Sequence, residues 1–197
     1  MITVDLLRHG ELEGGVKYRG LVDDPLTLAG RAAMDGVWNV VKSEVDLVIS
    51  SPLSRCHLPS AEWAKEAAIE CLTDSRIAEM HYGDWEGMTS EEIMARYPGM
   101  LEKWRADPES VQVPNGESVL QLQERIAAFW SEVCETHNGK HLLVIAHSGS
   151  LRMLIAHVLN APIISTRHMQ MPYACWSRAK HDHGSSQLLF HNRNLNL

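Results

Sequence analysis

Arg8-His9-Gly10 ends an apolar run, Ile2-Thr3-Val4-Asp5-Leu6-Leu7, close to the N-terminus. Neutral imidazole is a good nucleophile near pH 7, and a phosphohistidine is labile enough for water to discharge it. An arginine beside it offers a planar clamp for anionic oxygens. Two further apolar runs end in similar chemistry: Asp46 to Ile49 leads into Ser50-Ser51-Pro52-Leu53-Ser54-Arg55, and His141 to Ala146 leads into His147-Ser148-Gly149. Taken singly, each is an ordinary strand exit or helix surface. Together, two arginines and two histidines suit a compact dianion such as phosphate, whose equatorial oxygens they would hold during in-line transfer. A leaving alkoxide also needs a proton donor. Glu79, Asp84 and Glu86 in "RIAEMHYGDWEGM" are the available carboxylates, and spacing does not choose among them.

These residues need strands that end together. In an open parallel sheet, ligands bind beyond the carboxyl ends of the strands, where the connections diverge. Helices starting after Ser51 and Gly149 would add unpaired backbone N–H groups facing the same space. Thr27 is placed to cap a helix through Leu28, Ala32, Val37 and Val40-Val41, with Trp38 near that face. Ser51-Pro52 reads as the cap and first turn of the next helix, which Pro59 should kink or split. Ile69 to Leu72 is a weaker strand candidate. Thr89-x-x-Glu92 and Ser118-x-x-Gln121 resemble capping boxes. After the second, Val119, Leu122, Ile126, Phe129, Trp130 and Val133 recur at core-forming helical spacing. A helical run spans Leu151 to Leu159, and the tail from Tyr173 to Arg193 reads as two strands around His183-Gly184-Ser185-Ser186. The expectation is an α/β three-layer sandwich: a mostly parallel central sheet flanked by helices, with antiparallel strands added late. Residues 88–116, rich in Trp, Pro and charge, form a cap-like excursion from a single domain.

Composition narrows the function classes. At 197 residues, with 45% hydrophobic and 22% charged residues, the chain is of ordinary globular type. A net charge of −7 speaks against nucleic acid as a partner, though a local arginine cluster can still receive a small anion. No apolar stretch reaches the roughly 18 residues of a membrane span. Asp5, Arg8 and His9 interrupt the only N-terminal apolar run, unlike a signal peptide. Cys56, Cys71, Cys134 and Cys175 form no C-x-x-C pair, which suits reduced thiols in a cytoplasmic protein. His181-Asp182-His183 lacks further ligands in sequence and reads as a polar turn, so neither metal nor cofactor is expected. No G-x-G-x-x-G follows the first strand, against a dinucleotide site. A homo-oligomer is open.

"LLRHGE", "SSPLSRC", "AEMHYGDWEG", "PNGES" and "IAHSGSLR" stand in the order and approximate spacing of the histidine phosphatase superfamily, in its phosphoglycerate mutase-like branch. The resemblance covers most of the chain. It implies a metal-independent phosphomonoesterase in which His9 is phosphorylated, Arg8 and Arg55 bind the phosphate, and His147 is the second pocket histidine. Glu79 is implied as the proton donor that later activates water, and the Ser148 backbone N–H as a phosphate contact. Many members carry an asparagine shortly after R-H-G. Here Gly14-Gly15 stands nearby, and Arg19 is a weak substitute. "EGGVKYRGLVDDPLTLAG" and "MPYACWSR" resemble the α-ribazole phosphatases of cobalamin biosynthesis, implying α-ribazole 5′-phosphate as the small phosphorylated partner. A broad-specificity phosphatase, a mutase and a non-catalytic phosphate-binding scaffold are the alternatives. Trp85 and Trp104 are candidates for either substrate lining or packing.

Overall fold

Alternation at period two in β1 (Ile2–Arg8) sends Ile2, Val4 and Leu6 to one face of a sheet and Leu7 to the other. The computed structural model describes residues 1–193 and Leu195. After β1 come α1 (Leu28–Val41), β2 (Leu47–Ser50), α2 (Ser54–Ala67) and β3 (Glu70–Thr73). The chain continues through α3 (Ser90–Arg96), α4 (Met100–Ala106), α5 (Val119–Thr136), β4 (His141–Ala146) and α6 (Ser148–Val158), and closes with β5 (Trp176–Asp182) and β6 (Ser185–Arg193). The strands form one sheet in the order β3-β2-β4-β1-β5-β6. β1 to β4 run parallel and the last two antiparallel. The α5 stripe and the inner face of α6 cover the side carrying Val4 and Leu6, while α1 and α2 cover the side carrying Leu7 and Val48. The expected three-layer α/β architecture is what forms.

Local signals mostly decide the element ends. Both capping boxes are present, Thr89 with Glu92 and Ser118 with Gln121. Thr27 caps α1 by accepting from the Gly30 N–H. The α1 face differs from the expected one. Gly30, Met34, Val37, Trp38 and Val41 are buried, whereas Leu28, Ala32 and Val40 face solvent. At ~100° per residue these three lie about 120° or more around the helix from Met34, so they cannot share its face.

α2 corrects two expectations. It begins at Ser54 rather than at Ser51-Pro52, because Asp23 accepts from the Ser54 N–H at 2.6 Å and acts as the cap from a distant loop. Ser51 is thereby released for the site. Pro59 does not split the helix. It forfeits only the hydrogen bond that its own N–H would have made, and packing of Cys56, Trp63 and Ala64 holds the helix on the sheet. Residues 88–116 form the expected helical excursion, here α3 and α4, tied back to the first loop by bonds from Tyr18 N–H to the Met88 carbonyl and from Gly87 N–H to the Tyr18 carbonyl.

Candidate active site

Register brings the three loops to one level. In the parallel ladder Arg8 lies opposite Ala146, and Ser50 opposite Ile145. The chain therefore leaves β1, β2 and β4 side by side. Gly10 is required for the first exit, because a Cβ there would sit 2.0 Å from the Gly30 carbonyl oxygen of α1.

His9 is almost fully buried, and its Nδ1 meets the Gly10 carbonyl at 2.8 Å. A carbonyl only accepts, so Nδ1 carries the proton of the neutral ring and Nε2 keeps its lone pair. Burial, reinforced by Arg8, holds the His9 pKa well below the usual histidine value, so the ring is neutral at pH 7. The guanidinium of Arg8 stacks 4.1 Å over the Tyr173 ring and donates to the Met171 carbonyl. Burial lowers the Arg8 pKa from the usual guanidinium value.

Arg55, 2% exposed, is held at every nitrogen. Its Nε donates to His147 Nδ1 at 3.2 Å, Nη2 to the Gly20 carbonyl at 2.8 Å, and Nη1 to the Val22 carbonyl at 2.6 Å. His147 thus accepts at Nδ1 and donates from Nε2 to Ser51 Oγ at 2.7 Å. Its burial, with His9 and Arg55 beside it, depresses its pKa well below the usual value. The two rings lie 5.2 Å apart. His147 is fully buried behind His9, off the cavity wall, with its edges given to Arg55 and Ser51.

Glu79 sits at the start of α6. Its carboxylate accepts from the N–H groups of Gly149 at 3.1 Å, Ser150 at 3.2 Å and Met80 at 3.0 Å. Its oxygens thereby satisfy N–H donors that the helix itself leaves unpaired. Gly149 makes the approach possible: a Cβ there would lie 2.5 Å from Glu79 Oε1. The geometry also separates the three carboxylates. Glu86 accepts from the Leu21 and Tyr82 N–H groups, Asp84 from Tyr97 and Asn115, and Glu79 is the one that lines the cavity.

That cavity, about 310 Å³, brings together Arg8, His9, Arg19, Arg55, Glu79 and Ser148. Among the described residues, no acceptor meets the Ser148 N–H, the first of α6. Arg19 binds Asp24 at 2.8 Å and the Glu13 and Gly15 carbonyls, so it braces the loop that carries Gly14-Gly15. Sequence reasoning did not find Lys17, Arg105, Arg152 or Tyr173 on the same wall. Arg152 had a signal, since it stands four residues after Ser148 on one helix face. Arg105 had none, being brought in from α4 by bonds to Tyr18 Oη and Ser90 Oγ, each 2.8 Å. Trp85 is core, whereas Trp104 lines an adjoining cavity. His183 stands exposed at the β5–β6 turn, and no group of three or more potential metal ligands occurs among the described residues. No helix there is long and apolar enough to cross a membrane.

The sequence matches the histidine phosphatase superfamily (branch 1) over residues 4–194. The chain belongs to that superfamily. Phosphoserine phosphatase 1 of Hydrogenobacter thermophilus is 30% identical over 166 residues, covering 83% of this chain and 79% of the relative. The adenosylcobalamin/alpha-ribazole phosphatase of Escherichia coli is 26% identical over 175 residues, 87% of this chain and 86% of that one. Among solved structures, a mycobacterial glucosyl-3-phosphoglycerate phosphatase in complex with VO3 superposes with a TM-score of 0.86 at 25% identity, covering 98% of this chain and 99% of that one. Bacillus stearothermophilus YhfR shares the fold with a TM-score of 0.90, at 24% identity and 96% coverage of both chains. As a superfamily member with phosphatase relatives, the chain is a phosphoric monoester hydrolase.

Proposed function

We propose that hydrolysis proceeds through a phosphohistidine on His9, without a metal ion. The observation that carries this reading is the tautomer. The bond from Nδ1 to the Gly10 carbonyl leaves Nε2 free on a wall shared with Arg8, Arg55 and Glu79. Nε2 attacks phosphorus, and the bond to the leaving oxygen breaks while protonated Glu79 gives that oxygen its proton. Water then attacks phosphorus, Glu79 takes its proton, and the P–N electrons return to Nε2 as phosphate departs. Arg8, Arg55 and the Ser148 N–H supply the charge stabilisation, with His147 holding Arg55 by its Nε.

The resemblance of "MPYACWSR" and the first loop to α-ribazole phosphatases makes α-ribazole 5′-phosphate the first substrate to assay, with relatives so named at 26% and 27% identity in support. A phosphorylated acid is the second reading, favoured by arginines that extend beyond the phosphate site. The test of the chemistry is rapid alkaline quench with phosphoryl-labelled substrate. Acid-labile, alkali-stable label is expected on wild type and none on His9→Ala. Label persisting on the alanine variant would refute the assignment.

A further inference from the structure

His9 and His147 directly follow strands, and Arg55 stands in the first turn of α2. Glu79 has no such support, because it lies on the irregular chain between β3 and α3. Its backbone is held instead by Arg125, in the second turn of α5. All five N–H groups of that guanidinium are engaged. Nη1 donates to the carbonyls of Arg76 and Ala78, and Nη2 to the Glu79 carbonyl at 3.1 Å. Nε and Nη2 also donate to the two carboxylate oxygens of Glu117, at 2.6 and 2.8 Å.

Glu117 grips the chain just beyond Glu79. Its carboxylate accepts from the His81 N–H at 3.3 Å, and its own N–H donates to the His81 carbonyl at 2.8 Å. Gly116 lets the two segments meet, since a Cβ there would lie 2.7 Å from the His81 carbonyl oxygen. Gly116 and Glu117 belong to "PNGES", a motif to which the phosphoryl-transfer scheme gives no part. Neither they nor Arg125 line the phosphate cavity; they border a separate groove that shares Glu79 with it. We infer that Arg125 and Glu117 are positioning residues for the proton donor, a clamp that fixes the Glu79 backbone while its carboxyl group gains and loses a proton. This rests on the proposed role of Glu79 and deepens it.

The chemistry explains why a second hold is needed. The N–H groups of Met80, Gly149 and Ser150 suit an ionised carboxylate. Once protonated, one carboxyl oxygen becomes a donor, so the acid form is held less firmly from α6. The clamp acts on backbone carbonyls and is indifferent to that proton. Glu117 balances the charge of Arg125, so the pair supplies geometry rather than a field at the phosphate. A lysine, with three donors on a single nitrogen, cannot span three carbonyls and a carboxylate as the fork does.

The test is single-turnover cleavage of two esters: p-nitrophenyl phosphate, whose leaving group departs without a proton, and glycerol 3-phosphate, whose alkoxide needs one. Glu79→Gln sets the reference and should slow the alkyl ester far more than the aryl ester. Arg125→Met should slow the alkyl ester roughly ten- to a hundredfold and the aryl ester less than about threefold, as a displacement of the acid approaching 1 Å requires. Arg125→Lys should restore part of the alkyl rate. Glu117→Ala should resemble Arg125→Met, and the double variant should be no worse than the more impaired single one, as for groups acting as a unit. Arg178→Met, which strips an ion pair from buried Asp5, is the stability control, and its ratio of the two rates should be that of wild type. The ratio is internal to each protein, and circular dichroism checks each fold; if Arg125→Met does not fold, Arg125→Lys and Glu117→Ala carry the test. Equal slowing of both esters in the clamp variants, no slowing, a double variant equal to the product of the singles, or the same change of ratio in Arg178→Met would overturn the clamp alone. Equal slowing in Glu79→Gln, or no cleavage of either ester by wild type, would instead refute the proton-donor reading on which it stands.

Discussion

Replacing Gly149 with alanine would add one methyl group beside the proposed proton donor, and the structure says what must yield. The new Cβ would lie 2.5 Å from Glu79 Oε1 and 3.3 Å from its Cδ, with no backbone atom among its nearest three contacts. That is about 1 Å short of ordinary van der Waals contact. A carboxylate tip moves more easily than a helix, so Glu79 shifts by about that amount and its bonds from the Gly149 and Ser150 N–H groups lengthen. Stability should change little: alanine gains up to ~1 kcal/mol of helix propensity over glycine, against a weakened cap of similar size. Catalysis should not be spared, because a 1 Å misplacement of a reacting group costs on the order of 10²-fold. Single-turnover release of the leaving group isolates the first step. An alkyl phosphate should slow about a hundredfold and p-nitrophenyl phosphate far less, since nitrophenolate leaves without a proton. A thermal melt should stay close to wild type. If both esters slow equally, or neither does, the placement of Glu79 as acid is wrong.

Other changes test neighbouring parts of the site. Tyr173→Ala removes the ring beneath Arg8; a half-buried cation–π contact of ~1–2 kcal/mol predicts vanadate affinity weakened roughly 5- to 30-fold by titration, and Tyr173→Phe should be near wild type. Arg125 holds the carbonyls of Arg76, Ala78 and Glu79 and pairs with Glu117. Arg125→Met should therefore destabilise by about 2–4 kcal/mol in urea unfolding, through unpaired carbonyls and a lost ion pair. Both His9 and His147 have folded pKa values depressed well below 6.5, so each binds its proton only on unfolding. Stability from these two is full above the unfolded pKa and is lost as pH falls below it. Between pH 6.5 and 5.5 the loss should be about 2 kcal/mol, and His9→Gln should halve it. A pH-independent midpoint over that range would contradict two buried neutral rings.

Much of the scaffold follows from patterns a few residues long. Apolar runs mark β1 and β4, the α5 stripe is spaced as a core face, and the capping boxes mark their helices. The errors arise where distant chain intervenes. Ser51 has the composition of a helix cap, but Asp23 caps α2 instead and Ser51 meets His147. Val40 and Leu28 are apolar but off the buried arc of α1. At the site, spacing left Glu79, Asp84 and Glu86 equivalent. Only the fold shows Glu79 at the N-terminus of α6, with Glu86 tying two loops together. Arg105 reaches the wall through a loop pairing between Tyr18 and Met88, which no local pattern encodes.

That pairing has a consequence for descent. His9, Arg55, His147 and Glu79 stand on strand exits or at the foot of α6, whereas Ser90, Trp104 and Arg105 belong to an excursion joined to the first loop chiefly through Tyr18. Selection can thus rewrite residues 88–116 to favour a different alcohol without disturbing the groups proposed to move the phosphoryl group. Tyr18 is the hinge pin of that arrangement. It is the residue whose loss would uncouple the choice of ester from the machinery that cleaves it.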